Sequence, residues 1–372
     1  MLNTAEFSDL LTEKGIEFST GVPDSLLKDF CAYVADNGND IIAANEGACI
    51  GIAAGYHLAT DKIPLVYMQN SGFGNTVNPL TSLTDPEVYS IPMLLMVGWR
   101  GRPGVKDEPQ HVKMGRINEA MIKTLEIPYC ILSHTIREAQ EQIDQAFEYM
   151  KKEKAPYILL VEKGTFEPYK LQSAKHDTYP MSRERVIEVL LGQLDERDVI
   201  VSTTGKTSRE VFEVREARNE PHHQDFLCVG NMGHTSQIAL GIALGKPDQR
   251  VICLDGDGSF LMHMGSAAVV GDQAPKNLKH ILVNNGAHES VGGQPTVGFT
   301  TDFKKIAEAC NYKQVYTVSS EEELLMTLPN YLKGEGPSLL EVNIKKGSRA
   351  DLGRPTVKPV DNKIAFMQNL KG

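Results

Sequence analysis

No Cys-x-x-Cys pair, no apolar run long enough for a bilayer and no excess of positive charge occurs in this 372-residue chain, and each lack removes a class of function. The six cysteines, Cys31, Cys49, Cys130, Cys228, Cys253 and Cys310, stand far apart and mostly inside apolar segments, so they read as reduced core residues. The longest apolar run, around Ile91 to Trp99, falls well short of the roughly 20 residues that span a bilayer. From Met1 to Glu6 there is no basic patch leading into an apolar stretch, so the expected location is the cytoplasm, with no membrane partner. A formal net charge of −10 argues against nucleic acid, whose phosphates it would repel. An anionic ligand would need a local basic patch. Two phosphate motifs also fail. Gly256-x-Gly258-x-x-Leu261 lacks the third glycine of a dinucleotide fingerprint, and Ile200 stands where a P-loop ending in Gly205-Lys206-Thr207 needs its first glycine.

What is present is the balance of a globular chain, 41% hydrophobic and 23% charged, with enough length for two domains. Strand-like runs alternate with helical ones: 18–22, 41–45, 65–70, 93–100, 129–133 and 157–162, then 199–204, 226–229, 251–254, 280–283, 314–318 and 339–344. This rhythm predicts an α/β fold of two similar parallel-sheet domains. Small-residue helical segments echo one another after a strand in each half, at 46–55 and 233–243. The expected division is a first domain of 1–165, a linker of 166–182 containing Pro168 and Pro180, a second domain of 183–346 and a tail of 347–372.

The chain is organised around residues 251–287. Val251 to Leu254 is an apolar strand that stops at Asp255-Gly256-Asp257-Gly258-Ser259, where glycines on both sides of Asp257 let main-chain amides approach a ligand. A helix expected at about Met262 to Gly271 would aim its free N–H groups at an anion. The return strand ends at Asn284-Asn285-Gly286-Ala287. A carboxylate, an amide oxygen and a main-chain carbonyl from two strand ends form a hard-oxygen set suited to Mg²⁺. Either turn alone is ordinary turn chemistry; together, at this spacing, they are far more specific.

GDGSF followed at this interval by NN resembles the signature of thiamine diphosphate enzymes. The resemblance implies Asp257, Asn285 and the Ala287 carbonyl as metal ligands, with Gly258 and Ser259 beside the diphosphate. It extends over GVPDS at 21, NEGACIGIAAGYHLA at 45, NSGFGN at 70, RGRPGVKDEPQH at 100, GNMGHTSQIALG at 230 and SRADLGRPT at 348. These stretches are similar to the two-domain phosphonopyruvate and sulfopyruvate decarboxylases, and fusion of both halves favours the phosphonopyruvate branch. The first domain would then be the pyrimidine-binding one and the second the diphosphate-binding one. The implied reaction is decarboxylation of 3-phosphonopyruvate to phosphonoacetaldehyde and CO₂, a step of phosphonate biosynthesis. Sulfopyruvate decarboxylation, a carboligase and a non-catalytic thiamine diphosphate-sensing module are the alternatives.

The same resemblance makes Glu46 the carboxyl that bonds the aminopyrimidine ring and moves its proton, with Ser71 beside the cofactor. Gly230 would offer its carbonyl to the aminopyrimidine, and Met232 would prop the cofactor into its bent shape. Thr204 and Gly205, at a strand end that opens a helix, are candidates for the diphosphate, although capping alone would explain Thr204. Substrate candidates are Asp24, Ser25, Asn70, Arg100, Lys106 and Gln110, all at or just beyond strand ends where ligands of open α/β sheets gather. Helix capping explains Asp24 and Ser25 as readily. Residues 99–116 carry five basic side chains against two acidic ones, and Arg100 and Lys106 are the choices for holding a second anionic group. Gln110-His111 falls where related 2-keto acid decarboxylases have a histidine pair; with glutamine first, only His111 stays as a candidate proton donor. The family places Glu46 and Asp257 of one site on different chains, so a homodimer or larger homo-oligomer is expected.

Overall fold

In a computed structural model that describes residues 1–173 and 179–371, the chain forms two compact units, one of residues 1–173 with 290–294 and one of 179–289 with 295–371. The expected linker partly overlaps the residues outside this description.

The first unit holds six strands, β1 (Ser19–Gly21), β2 (Asp40–Ile42), β3 (Leu65–Gln69), β4 (Leu94–Gly98), β5 (Tyr129–Ile131) and β6 (Tyr157–Val161), in the order β2-β1-β3-β4-β6-β5. Every pairing is parallel. β4 and β6 are buried along their whole length, as their unbroken apolar sequences require of strands covered on both faces. Helix Ile136–Glu153 shows the matching pattern. Ala139, Ile143, Ala146, Phe147 and Met150 recur at helical spacing and all lie buried. An aromatic cluster of Phe7, Phe30 and Phe166 closes the core.

The second unit contains β7 (Val199–Ser202), β8 (Asp225–Leu227), β9 (Val251–Gly256), β10 (Leu278–Asn284), β11 (Gln314–Val318) and β12 (Ser338–Asn343), in the order β11-β12-β10-β9-β7-β8. Counted from its own first strand this is the topology of the first unit, so the expected pair of similar parallel-sheet α/β domains is what the chain builds. Apolar side chains on the two faces of the sheet form two cores, one around Val186, Ile252, Ile281 and Tyr331, the other around Val201, Cys253, Leu282 and Phe303.

Two local expectations change. The helix expected from about Met262 to Gly271 is two helices, Asp257–Met262 and Ser266–Gln273. His263 leaves helical geometry at φ −136° and ψ 48°, where its ring and Met262 pack against the turn at Gly233; Gly265 follows and favours the break. The tail is no simple arm. Helix Pro359–Asn369 packs on β8, where the Asn362 amide donates to the Asp225 carbonyl at 2.8 Å and accepts from the Leu227 N–H at 3.2 Å. A side chain thus covers the open edge of an outer strand. Arg349 pairs with Glu184 and Glu213.

Candidate functional site

In both sheets the chain reverses its direction of travel between the first and third strands, and ligands of such sheets bind outside the carboxyl ends at that point. In the first unit these ends belong to β1 and β3, with β4 alongside. Asp24, three residues past β1, is fully buried. Its Oδ1 accepts from Gln69 Nε2 at 2.6 Å, while Oδ2 has no partner among the described residues. Burial raises its pKa, against the lowering effect of Gln69 and Arg100. Gly98, at the end of β4, leaves the room that this carboxyl needs, because a Cβ there would overlap Asp24 Oδ2.

Asn70 clamps the next strand end. Its amide donates to the Arg100 carbonyl at 2.8 Å and accepts from the Arg100 N–H at 3.2 Å. Ser71 donates to Gln69 Oε1 at 2.6 Å. The Arg100 guanidinium lies close by, but it is not a spare cation. Nε and Nη2 donate to the two oxygens of Asp107 at 2.8 and 2.5 Å, and Nη1 donates to Ser25 Oγ at 2.6 Å. Asp107 also accepts from the N–H groups of Gly101 and Glu108, and these contacts hold it well below the usual carboxylate range. Of the five basic side chains over 99–116, Arg100 is thus matched inside its own loop, and Arg102 pairs with Glu162. Lys106 is exposed, and Gln110 is half-buried in the first turn of helix Pro109–Thr124. His111 Nδ1 is buried without a hydrogen-bond partner among the described residues, and burial, helped by Arg100, pushes this imidazole down to about 4. At neutral pH the ring is uncharged, the form that accepts a proton instead of donating one.

Glu46 opens helix Glu46–Thr60, capped by Asn45, whose Oδ1 accepts from the Ala48 N–H at 3.0 Å. Its carboxyl is buried, and Oε2 accepts from Asn75 Nδ2 at 2.8 Å. Asn75 lies on the 3₁₀ helix Asn70–Thr76, and Gly72 of the same helix abuts the carboxyl so closely that a Cβ there would overlap it. Asn75 was not among the sequence candidates, although it ends the same NSGFGN stretch.

In the second unit the ends of β7 and β9 adjoin. Past β7, Thr203 and half-buried Thr204 lead to Gly205, whose φ of 90° suits glycine and which starts helix Lys206–Ala217. Ser208 Oγ ties this helix to the strand end through Ser202 Oγ and the Thr203 carbonyl, both at 2.7 Å. Beyond β8, Gly230 and Met232 are half-buried, and the Met232 methyl and the His288 ring both lie against Gly258. Ser259 Oγ accepts from the Gly233 N–H at 3.1 Å, so it joins two turns.

Asp257 and Asn285 meet, as the metal reading demands. Asp257 Oδ1 accepts from the Asn285 N–H at 3.4 Å and Oδ2 accepts from the Thr296 hydroxyl. The carboxyl is 2% exposed, and burial lifts its pKa to about 6. Asn285 Oδ1 accepts from the Ala287 N–H at 3.1 Å. Asn284, by contrast, is structural, bonding Gly298, Gly286 and Glu341. The donor set fits a hard divalent cation: a buried carboxylate with no cationic partner in contact among the described residues, an adjacent amide oxygen, and the turn that carries Ala287. Thr296, and Glu289, which accepts from Asn285 Nδ2 at 2.8 Å, gave no motif signal.

Residues 4–122 match the family described as thiamine pyrophosphate enzyme, N-terminal TPP binding domain, and residues 203–342 match its C-terminal TPP binding domain. Phosphonopyruvate decarboxylase from Streptomyces hygroscopicus is 35% identical over 377 residues, covering 96% of this chain and 92% of that one. The phosphonopyruvate decarboxylase of Streptomyces viridochromogenes is 34% identical over 97% of this chain and 93% of its own. A sulfopyruvate decarboxylase from Methanosarcina acetivorans is 27% identical over 91% of this chain and 90% of its own. Likeness at this level runs through both units and nearly end to end, so the chain belongs to the phosphonopyruvate decarboxylase family of thiamine diphosphate enzymes, which are carbon–carbon lyases.

Proposed function

We propose that this protein removes CO₂ from 3-phosphonopyruvate to give phosphonoacetaldehyde, using thiamine diphosphate and Mg²⁺. The observation that carries the reading is the meeting of buried Asp257 with Asn285 at the ends of β9 and β10, in a chain akin to phosphonopyruvate decarboxylases throughout. Bound thiamine diphosphate supplies the electron sink for the pair left when the carboxyl carbon departs.

The chain's own residues hold and orient. Asp257, Asn285 and the Ala287 carbonyl would hold Mg²⁺, and Thr204, Gly205, Gly258 and Ser259 would border the diphosphate. Gly230 and Met232 would lie against the aminopyrimidine. Glu46 would hold a proton on its carboxyl toward that ring, with Asn75 fixing which way the carboxyl faces and Ser71 on the cofactor side. Asp24, Ser25, Asn70, Arg100, Lys106 and Gln110 line the substrate end, where Arg100 acts chiefly by shaping the 100–108 loop and presenting Ser25. His111 is the candidate proton donor at this end, a role for which its uncharged ring must first take up a proton. The working form is a homodimer or larger in the cytoplasm. No described helix is long and apolar enough to cross a membrane.

The decisive assay is CO₂ release from phosphonopyruvate with and without thiamine diphosphate and Mg²⁺. Release only when both are present is expected, and none under any condition would refute the reading. A specificity constant higher for sulfopyruvate would transfer the assignment to the sulfonate. Labelled pyruvate appearing in a longer carbon chain would transfer it to a carboligase.

A further inference from the structure

Beyond the metal ligands, Glu289 sits where three groups converge. Its Oε2 accepts from Asn285 Nδ2 at 2.8 Å and from Arg183 Nη1 at 3.1 Å, and its Oε1 accepts from Lys206 Nζ at 2.7 Å. The far side of Arg183 is spent on Glu210, with Nε at 2.6 Å and Nη2 at 3.0 Å from its two oxygens. Two cations and two anions are thus matched in a mostly buried cluster, which keeps Glu289 ionised and in place.

The consequence for Asn285 follows from donor chemistry. An amide side chain has an oxygen and an NH₂ of nearly equal shape, and only its surroundings decide which points where. An ionised carboxylate accepts and never donates, so Asn285 must turn its NH₂ to Glu289. Its oxygen is then held on the other side, over the Ala287 N–H, on the residue whose main-chain N–H reaches Asp257. The salt bridge to Lys206, the residue after Gly205, also fastens the turn past β7 to the turn past β10. These are two borders of the diphosphate cradle.

We propose that Glu289 is a positioning residue that selects the oxygen of Asn285 as the atom offered to Mg²⁺ and, through Lys206, locks the two turns together. The inference rests on the Mg²⁺ and thiamine diphosphate reading above. Outer partners of metal ligands typically change metal affinity by about 10–100-fold when removed.

The test is calorimetric titration of thiamine diphosphate into the full chain at several Mg²⁺ concentrations, with the unfolding midpoint of the cofactor-free protein measured alongside. Glu289→Ala is expected to weaken Mg²⁺-dependent binding by about 10–100-fold. Glu289→Gln, whose amide can donate as well as accept and has no charge to pair with Lys206, is expected to lose most of what Glu289→Ala loses. Asn285→Ala should weaken binding by itself, and adding Glu289→Ala should then cost less than it does in the wild type, the remainder being the lost lock to Lys206. Should Glu289→Ala not fold, Glu289→Asp withdraws the acceptor while keeping the charge and answers the same question. Fully additive losses, or wild-type affinity in either Glu289→Ala or Glu289→Gln, would each overturn the inference. Wild-type protein that binds no thiamine diphosphate would instead refute the parent reading and take this inference with it.

Discussion

Replacing Gly72 by alanine tests how Glu46 is held. A methyl group there would overlap the Glu46 carboxyl on the 3₁₀ helix that also carries Asn75, whereas one on Gly74, two residues along, would meet nothing within 4 Å. Neither glycine has a positive φ, so backbone strain is the same small matter for both. Overpacking a buried site costs about 1–3 kcal/mol, while removing a glycine from the unfolded chain returns about 0.4–1 kcal/mol. Gly72→Ala is therefore expected to lose about 1–2 kcal/mol, and Gly74→Ala to be neutral or slightly stabilised. The kinetic effect should be larger. Pushing the carboxyl by about 1 Å and breaking its bond to Asn75 should lower kcat about 100-fold, with cofactor affinity little changed. Urea unfolding gives the first quantity, and CO₂ release at saturating thiamine diphosphate and Mg²⁺ the second. Gly72→Ala with wild-type turnover, or Gly74→Ala equally damaged, would refute the reasoning, because steric access to Glu46 is the sole difference invoked.

Glu46→Ala should retain thiamine diphosphate while turnover falls by orders of magnitude, as for loss of a group that acts in proton transfer; calorimetry beside CO₂ release separates the two effects. Asp225→Ala should cost about 1.5–3 kcal/mol because buried Arg215 loses the carboxylate to which Nε and Nη2 donate at 2.8 and 2.9 Å and keeps only Glu220, at 2.8 Å from Nη1. Per folded molecule its kinetics should match wild type, read from urea midpoints and active-site titration. Lys279 is buried, donates to the Gly334 carbonyl at 2.6 Å, and is pushed down to about 8 by burial and then by Arg250. Below that value both states keep its proton. Between it and the ordinary lysine range only the unfolded chain does, so stability rises with pH. Relative to Lys279→Met, wild type should gain up to about 3 kcal/mol between roughly pH 7 and pH 10. Parallel pH profiles in denaturant would contradict this.

All twelve strands were legible in the sequence, because a short apolar run between turn residues declares a strand locally, within five or six residues, even where β2, β5 and most of β11 are only partly buried. The same holds for Asp257 and Asn285, whose setting at two strand ends is a property of the chain on either side of them. The break at His263 was not legible, since it depends on a ring packed against the distant turn at Gly233. Nor was the docking of helix Pro359–Asn369, which is set by the open edge of β8.

The sequence by itself determined two parallel α/β units and the setting of Asp257 and Asn285 past the ends of two strands, because strand length, turn chemistry and helix starts are short-range. Tertiary structure alone decided how those groups are held: Gln69 on Asp24, Asn75 on Glu46, Thr296 on Asp257 and Glu289 on Asn285. The case of Arg100 shows why. A count of charges over 99–116 made it the cation for a ligand, yet folding returns Asp107 onto it. A charge count carries no record of which charges will face each other once the strands align.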